Sequence, residues 1–112
     1  MNSFVACATL LPDGSIGGGW GKANTVAIAE IVEGKVAAWR VEEVGWRALH
    51  DTGTEGSHHA RIVRFLNDNK VTVVATGHMG DGMQNTLGKM GVKVHLDVSG
   101  EAKSALEALA RG

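Results

Sequence analysis

Residues 71 to 98 restrict the folds open to this chain more than any other stretch. An apolar run, Val71-Thr72-Val73-Val74-Ala75-Thr76, leads into a glycine-rich turn, Gly77-His78-Met79-Gly80-Asp81-Gly82. Met83, Leu87 and Met90 then recur at helical spacing up to Gly91, and a second run follows, Val92-Lys93-Val94-His95-Leu96-Asp97. The pattern reads as strand, turn, helix and strand. Strands joined by a helical crossover lie parallel, and open α/β sheets bind ligands at the carboxyl ends of their strands, where this turn falls. The glycines permit close approach to the backbone, and the first amides of the helix favour an anion. His78 and Met79 add two side chains able to ligate a metal.

The remaining elements build a sheet around that unit. Phe4 to Leu10 is apolar on both faces and reads as a central strand, ended by Pro12-Asp13-Gly14. A glycine-rich loop follows, Ser15-Ile16-Gly17-Gly18-Gly19-Trp20-Gly21-Lys22. Residues 25–32 form a second strand, Glu33-Gly34-Lys35 a hairpin turn, and 36–44 a third strand. In that third strand Ala37, Trp39 and Val41 are expected on one face, with Ala38, Arg40 and Glu42 on the other. Residues 45–56 read as a polar loop, and Ser57 as the cap of a helix over 57–68 whose His59, Ile62, Val63 and Leu66 share a face. Further helices are expected over 81–90 and 101–111, the last with a stripe of Ala102, Ala105, Leu106 and Leu109.

Two fully apolar strands and two alternating ones give an α/β fold, a five-stranded mixed sheet of order 3-2-1-4-5 with three helices. The loop after strand one (11–24), the segment entering the first helix (45–58) and the turn after strand four (77–82) then emerge at one edge. The two glycine-rich loops face each other there, and His50, His58, His59 and His78 reach the same rim.

Composition narrows the function. The 112 residues read as one domain over 1–112, with 11 basic and 12 acidic residues and no basic stripe, so nucleic acid is not an expected partner. The apolar run 4–11 is too short to span a bilayer and lacks a basic flank, so no membrane association is expected. The single cysteine, Cys7, excludes an internal disulfide and fits a cytoplasmic location. Eight of the 16 glycines lie in the two segments 14–21 and 77–82, which points to shaped loops. Gly77, Gly80 and Gly82 do not give a dinucleotide fingerprint, and 82–89 does not fit a phosphate-binding loop. No Ser-His-Asp order or activated cysteine is present, so the chain is not expected to be an enzyme.

With this order of elements, the chain resembles the dinitrogenase iron–molybdenum cofactor biosynthesis family, which includes NifX-like carriers and the C-terminal part of the NifB protein. The resemblance runs over about residues 4 to 110. It is carried by Asp13-Gly14, by Gly19-Trp20-Gly21-Lys22-Ala23 in place of a His-Phe-Gly-Arg-Ala loop, by the turn 77–82, and by Gly91-Val92-Lys93-Val94 before the helix of Ser104-Ala105-Leu106-Glu107-Ala108-Leu109. It implies a ribonuclease-H-like fold and non-covalent binding of an iron–molybdenum or other metal–sulfur cluster, its precursor or a related oxyanion. A cofactor-assembly protein is then an implied partner. A ribonuclease-H-type nuclease needs a carboxylate on the first strand, and 4–10 offers none.

The family loop commonly carries a histidine before its aromatic residue, and here that position is Gly19. Ligation therefore falls to His78, or to His58 and His59, although neighbours on a helix diverge by about 100° and rarely chelate one metal together. Gly19, Trp20, Gly21, Lys22, Gly77, Met79, Gly80 and Asp81 complete the expected cofactor-binding set. Cys7, mid-strand, reads as a buried hydrophobe. A protein-interaction module using Trp20 and Trp46 is the alternative function.

Overall fold

The computed structural model describes residues 3–50 and 55–111. Five strands form one sheet in the order β3-β2-β1-β4-β5. They are β1 (Ser3–Leu10), β2 (Thr25–Val32), β3 (Lys35–Glu43), β4 (Val73–Ala75) and β5 (Lys93–His95). β1 pairs antiparallel with β2 and parallel with β4, and β4 pairs parallel with β5. The order and directions are those expected from the hairpin and the helical crossover.

Helix α1 (Trp46–His50) precedes α2 (Glu55–Asp68), α3 (Asp81–Lys89) and α4 (Ala102–Arg111). Alternation along β1 divides the core between the two faces of the sheet. Cys7, Val26, Ile28 and Val74 pack with Ile62 and Leu66 of α2 and Met83 and Leu87 of α3. Ala6, Ala8, Ala29, Ile31 and Ala75 pack with Ala102 and Leu106 of α4. Glu101 caps α4: its carboxylate accepts the Ser104 amide (2.9 Å) and hydroxyl (2.8 Å) and the Lys103 amide (3.1 Å), which hold it below the usual carboxylate range.

Three local expectations change. The segment from residue 45 is not wholly a loop, because Trp46 to His50 form a helical turn. Gly45 enters it at a φ of 61°, and Trp46 sits edge-on to Trp20 (5.1 Å between ring centroids) and to Phe65 (5.6 Å). Burial of the indole fixes a turn that five residues of helix propensity would not hold. Residues 51–54 lie outside the described residues. Ser57 lies in the first turn of α2 instead of capping it, since the helix begins at Glu55.

The third change is in β3. Its register against β2 shifts between Glu30 and Ile31, so Ala38 stands opposite Glu30 and Val36 opposite Ile31. Ala37 is thereby left without an opposite residue, and Val36 joins Trp39 on the α4 face. Periodicity alone had placed Ala37 there. A bulge changes the face by one residue and leaves no mark in composition.

Candidate functional site

At the carboxyl ends of β1 and β4 the two glycine-rich loops meet through their backbones. The His78 amide donates to the Gly18 carbonyl (3.0 Å), and the Trp20 amide to the His78 carbonyl (2.8 Å). A short bridge of parallel type results between Gly19 and His78. Gly77 makes this approach possible: a Cβ there would lie 2.8 Å from the Gly18 oxygen and 2.9 Å from its nitrogen. Gly18 itself has a φ of 80°, in the region open to glycine. The loops are thus joined at their base, and the open space lies beside the seam.

That space is a cavity of about 750 Å³, walled by the 3₁₀ turn Trp20–Lys22 with Gly19, by His58, His59 and Ile62 of α2, and by residues 78–83. Its size falls within the roughly 300–1,000 Å³ of small-molecule sites. Of the residues expected from sequence, Gly19, Trp20, Gly21, Lys22, His58, His59, His78, Met79, Gly80 and Asp81 line it. Gly77 does not: it is used in the seam. The side chain of His50 lies outside the described residues.

The histidines have different surroundings. His78 is exposed on the rim, with its backbone tied to Gly18 and Trp20. His59 is half-buried and approaches Gly82, whose hypothetical Cβ would stand 3.7 Å from its Cε1. His58, not His59, is the inward member of the pair. It is 3 % exposed and lies one and two turns before the buried Ile62 and Leu66. Both of its ring nitrogens are bonded: Nε2 to the Gly21 carbonyl at 2.9 Å and Nδ1 to an Arg61 nitrogen at 3.0 Å. The direct-ligand role expected for His58 therefore meets an imidazole already engaged at both ends. Among the described residues no group of three or more His, Cys, Asp or Glu is arranged to hold a metal ion. Cys7 is in the core, where burial pushes its thiol up and opposes the thiolate.

Trp20 is 1 % exposed and lies against Trp46, itself 2 % exposed. The docking surface expected from these indoles is absent, because both are core residues. The Trp20 indole N–H is buried with no hydrogen-bond partner among the described residues, an unusual state for a strong donor.

Sequence reasoning missed two threonines and an arginine. Thr9 and Thr76, both fully buried, stand at the ends of the central strands with their hydroxyls 2.8 Å apart. Thr9 donates to the Gly17 carbonyl at 2.8 Å, and the Thr76 hydroxyl lies 3.4 Å from the Gly18 carbonyl. The available signal was a hydroxyl residue closing each of the two apolar strands. Arg61 gave no signal, since its partner lies one helical turn away and its role depends on where that partner points.

These contacts set the electrostatics of the rim. The carbonyls of Gly17, Gly18, Gly19 and Gly21 receive Thr9, the His78 amide, the Lys22 amide and His58 respectively. Loop oxygens that would repel an anion are thus occupied by protein donors. The amino end of α3 and Lys22 contribute positive potential, and the Asp81 carboxylate opposes it.

The chain matches the family described as dinitrogenase iron–molybdenum cofactor over residues 1–112. It belongs to that family. The crystal structure of PH0822 shares the fold, with a TM-score of 0.76 over 96 % of this chain and 89 % of that one at 17 % sequence identity. No curated protein matches significantly. The family description links the chain to the iron–molybdenum cofactor, and among the described residues no helix is long and apolar enough to cross a membrane.

Proposed function

We propose that this protein is a carrier that non-covalently holds a metal–sulfur cluster, its precursor or a related oxyanion in the cavity beside the loop seam. The observation that carries the reading is the cavity wall itself. It combines exposed His78 and half-buried His59 with Lys22, the amino end of α3 and loop carbonyls already bonded to protein donors. The unpartnered Trp20 indole N–H in the same wall is a further donor that an acceptor-rich cargo could satisfy after a small movement of the ring.

The donor set suits a preassembled anionic cargo. Imidazole and thioether groups can bind soft metal centres at their edge, while amides and Lys22 balance the negative charge of sulfide or oxide. His78 is the first ligand, with His59 of α2 in the same cavity wall as the second. A cytoplasmic metallocofactor-assembly protein is the partner this role requires. The set is one for holding and transferring cargo, and the protein is read as a carrier and not as an enzyme.

Anaerobic titration with tetrathiomolybdate or an iron–sulfur–molybdenum cluster donor, followed by visible absorption, tests this. Wild type should take up the chromophore in proportion to protein. His78→Ala should weaken uptake at least about tenfold, the scale of losing an ordered group at a metal site. Its melting temperature should stay unchanged, because the imidazole is exposed. Absence of a bound chromophore would sink the carrier reading. Full binding by His78→Ala with loss in His59→Ala would move the ligand to α2.

A further inference from the structure

We infer that His58 is a positioning residue, locked by Arg61 in its neutral Nε2–H tautomer so that it holds the Gly21 carbonyl and with it the Trp20–Lys22 turn. The assignment follows from donor chemistry. A guanidinium can only donate, so Nδ1, 3.0 Å from Arg61, must be the accepting nitrogen. A carbonyl can only accept, so Nε2, 2.9 Å from the Gly21 oxygen, must carry the proton. Each bond requires the tautomer that the other requires, and the ring's lone pair is turned towards Arg61.

The geometry gives this bond a purpose. Gly21 is the middle residue of the turn that presents Trp20 and Lys22 to the cavity, and no side chain of its own anchors it. A Cβ on Gly21 would stand 3.7 Å from His58 Nε2, so the ring packs directly against the turn it holds. Arg61 lies one helical turn after His58 and also lines a second groove with Trp46 and Phe65. The chain Arg61–His58–Gly21 therefore ties α2 to the loop by side-chain bonds, as Thr9 and Thr76 tie the sheet to it.

Long-range proton–nitrogen spectra of cargo-free protein labelled in its histidines give the first test. His58 should show a protonated Nε2 and an unprotonated Nδ1, and Arg61→Met should abolish that fixed pattern. A charged ring or a protonated Nδ1 in wild type overturns the inference. The second test rests on the carrier reading and uses tetrathiomolybdate. His58→Gln, which keeps a side-chain donor for Gly21, should bind within about threefold of wild type, whereas His58→Leu should lose about tenfold through the unsatisfied carbonyl. The His58 ring nitrogens should not move on binding. Equal binding by the two variants, or a metal-induced change at His58 nitrogen, overturns the positioning role. If wild type takes up no thiomolybdate, the carrier reading fails alone. The tautomer and the Gly21 amide shift in the two variants then decide the role of His58.

Discussion

Facing α4, the sheet presents Ala6, Ala8, Ala29, Ile31 and Ala75; towards α2 and α3 it carries Cys7, Val74 and Ile28 with buried Thr9 and Thr76, and α2 adds the buried His58. The core of the first face is apolar and holds its helix by close contact, with one polar tie from the Val36 amide to the Glu107 carboxylate at 2.9 Å. The second keeps polar groups inside and ends in a cavity. Buried polar groups stabilise only when fully bonded, so their concentration around one opening marks where the molecule spends stability on shape. One side of the sheet sustains the fold, and the other positions a site.

The largest expected effect tests the apolar side. Leu106→Ala should cost about 2–5 kcal/mol, because Leu106 is 2 % exposed and the alanine floor beneath it has little material to close the cavity. Chemical denaturation showing a loss below about 0.5 kcal/mol, the level of an ordinary surface change, would break the comparison. Cargo binding by the folded fraction should be unchanged.

Gly77→Ala should act on the other side and divide its effect between stability and site. The new methyl group meets the Gly18 backbone at under 3 Å, and backbone cannot rotate out of the way as a side chain can. A destabilisation of about 1–3 kcal/mol is expected, as for other overpacked positions. Amide signals of Gly18, Trp20 and His78 should shift together, and cargo binding should weaken. A variant with unchanged signals at these three residues would show that the loops are not held by the seam.

The smallest effect concerns pH. Burial, and after it the nearby Lys93 charge, hold His95 below the ordinary histidine value. The unfolded chain therefore binds this proton more readily than the folded one. The folded state keeps its full stability above the usual value of about 6.5 and loses part of it as pH falls through that value towards the lowered one. Comparing wild type with His95→Gln by thermal denaturation between about pH 8 and about pH 5 isolates the term, since the other histidines are common to both. The gap should change in favour of the glutamine variant on the acid side; a constant gap would show that His95 does not contribute.

The amino-acid sequence by itself determined the strand order, the crossover and the meeting of the two glycine-rich loops. Apolar runs, hairpin turns and helical spacing are local patterns, and right-handed, short connections leave few ways to combine them. It also marked ten of the residues that line the cavity, because glycine, histidine and lysine gathered towards one edge of a sheet are unusual enough to notice. Tertiary structure alone decided the rest. Trp46 made a helix of a segment that reads as loop, since an indole gains more from burial than the local chain loses in order. The bulge at Ala37 reset a face that alternation had assigned. Above all, which histidine turns inward depended on the rotation of α2 against the sheet. That rotation places His58 between Arg61 and Gly21 and leaves His59 at the opening, a difference between adjacent, identical residues that only packing can create.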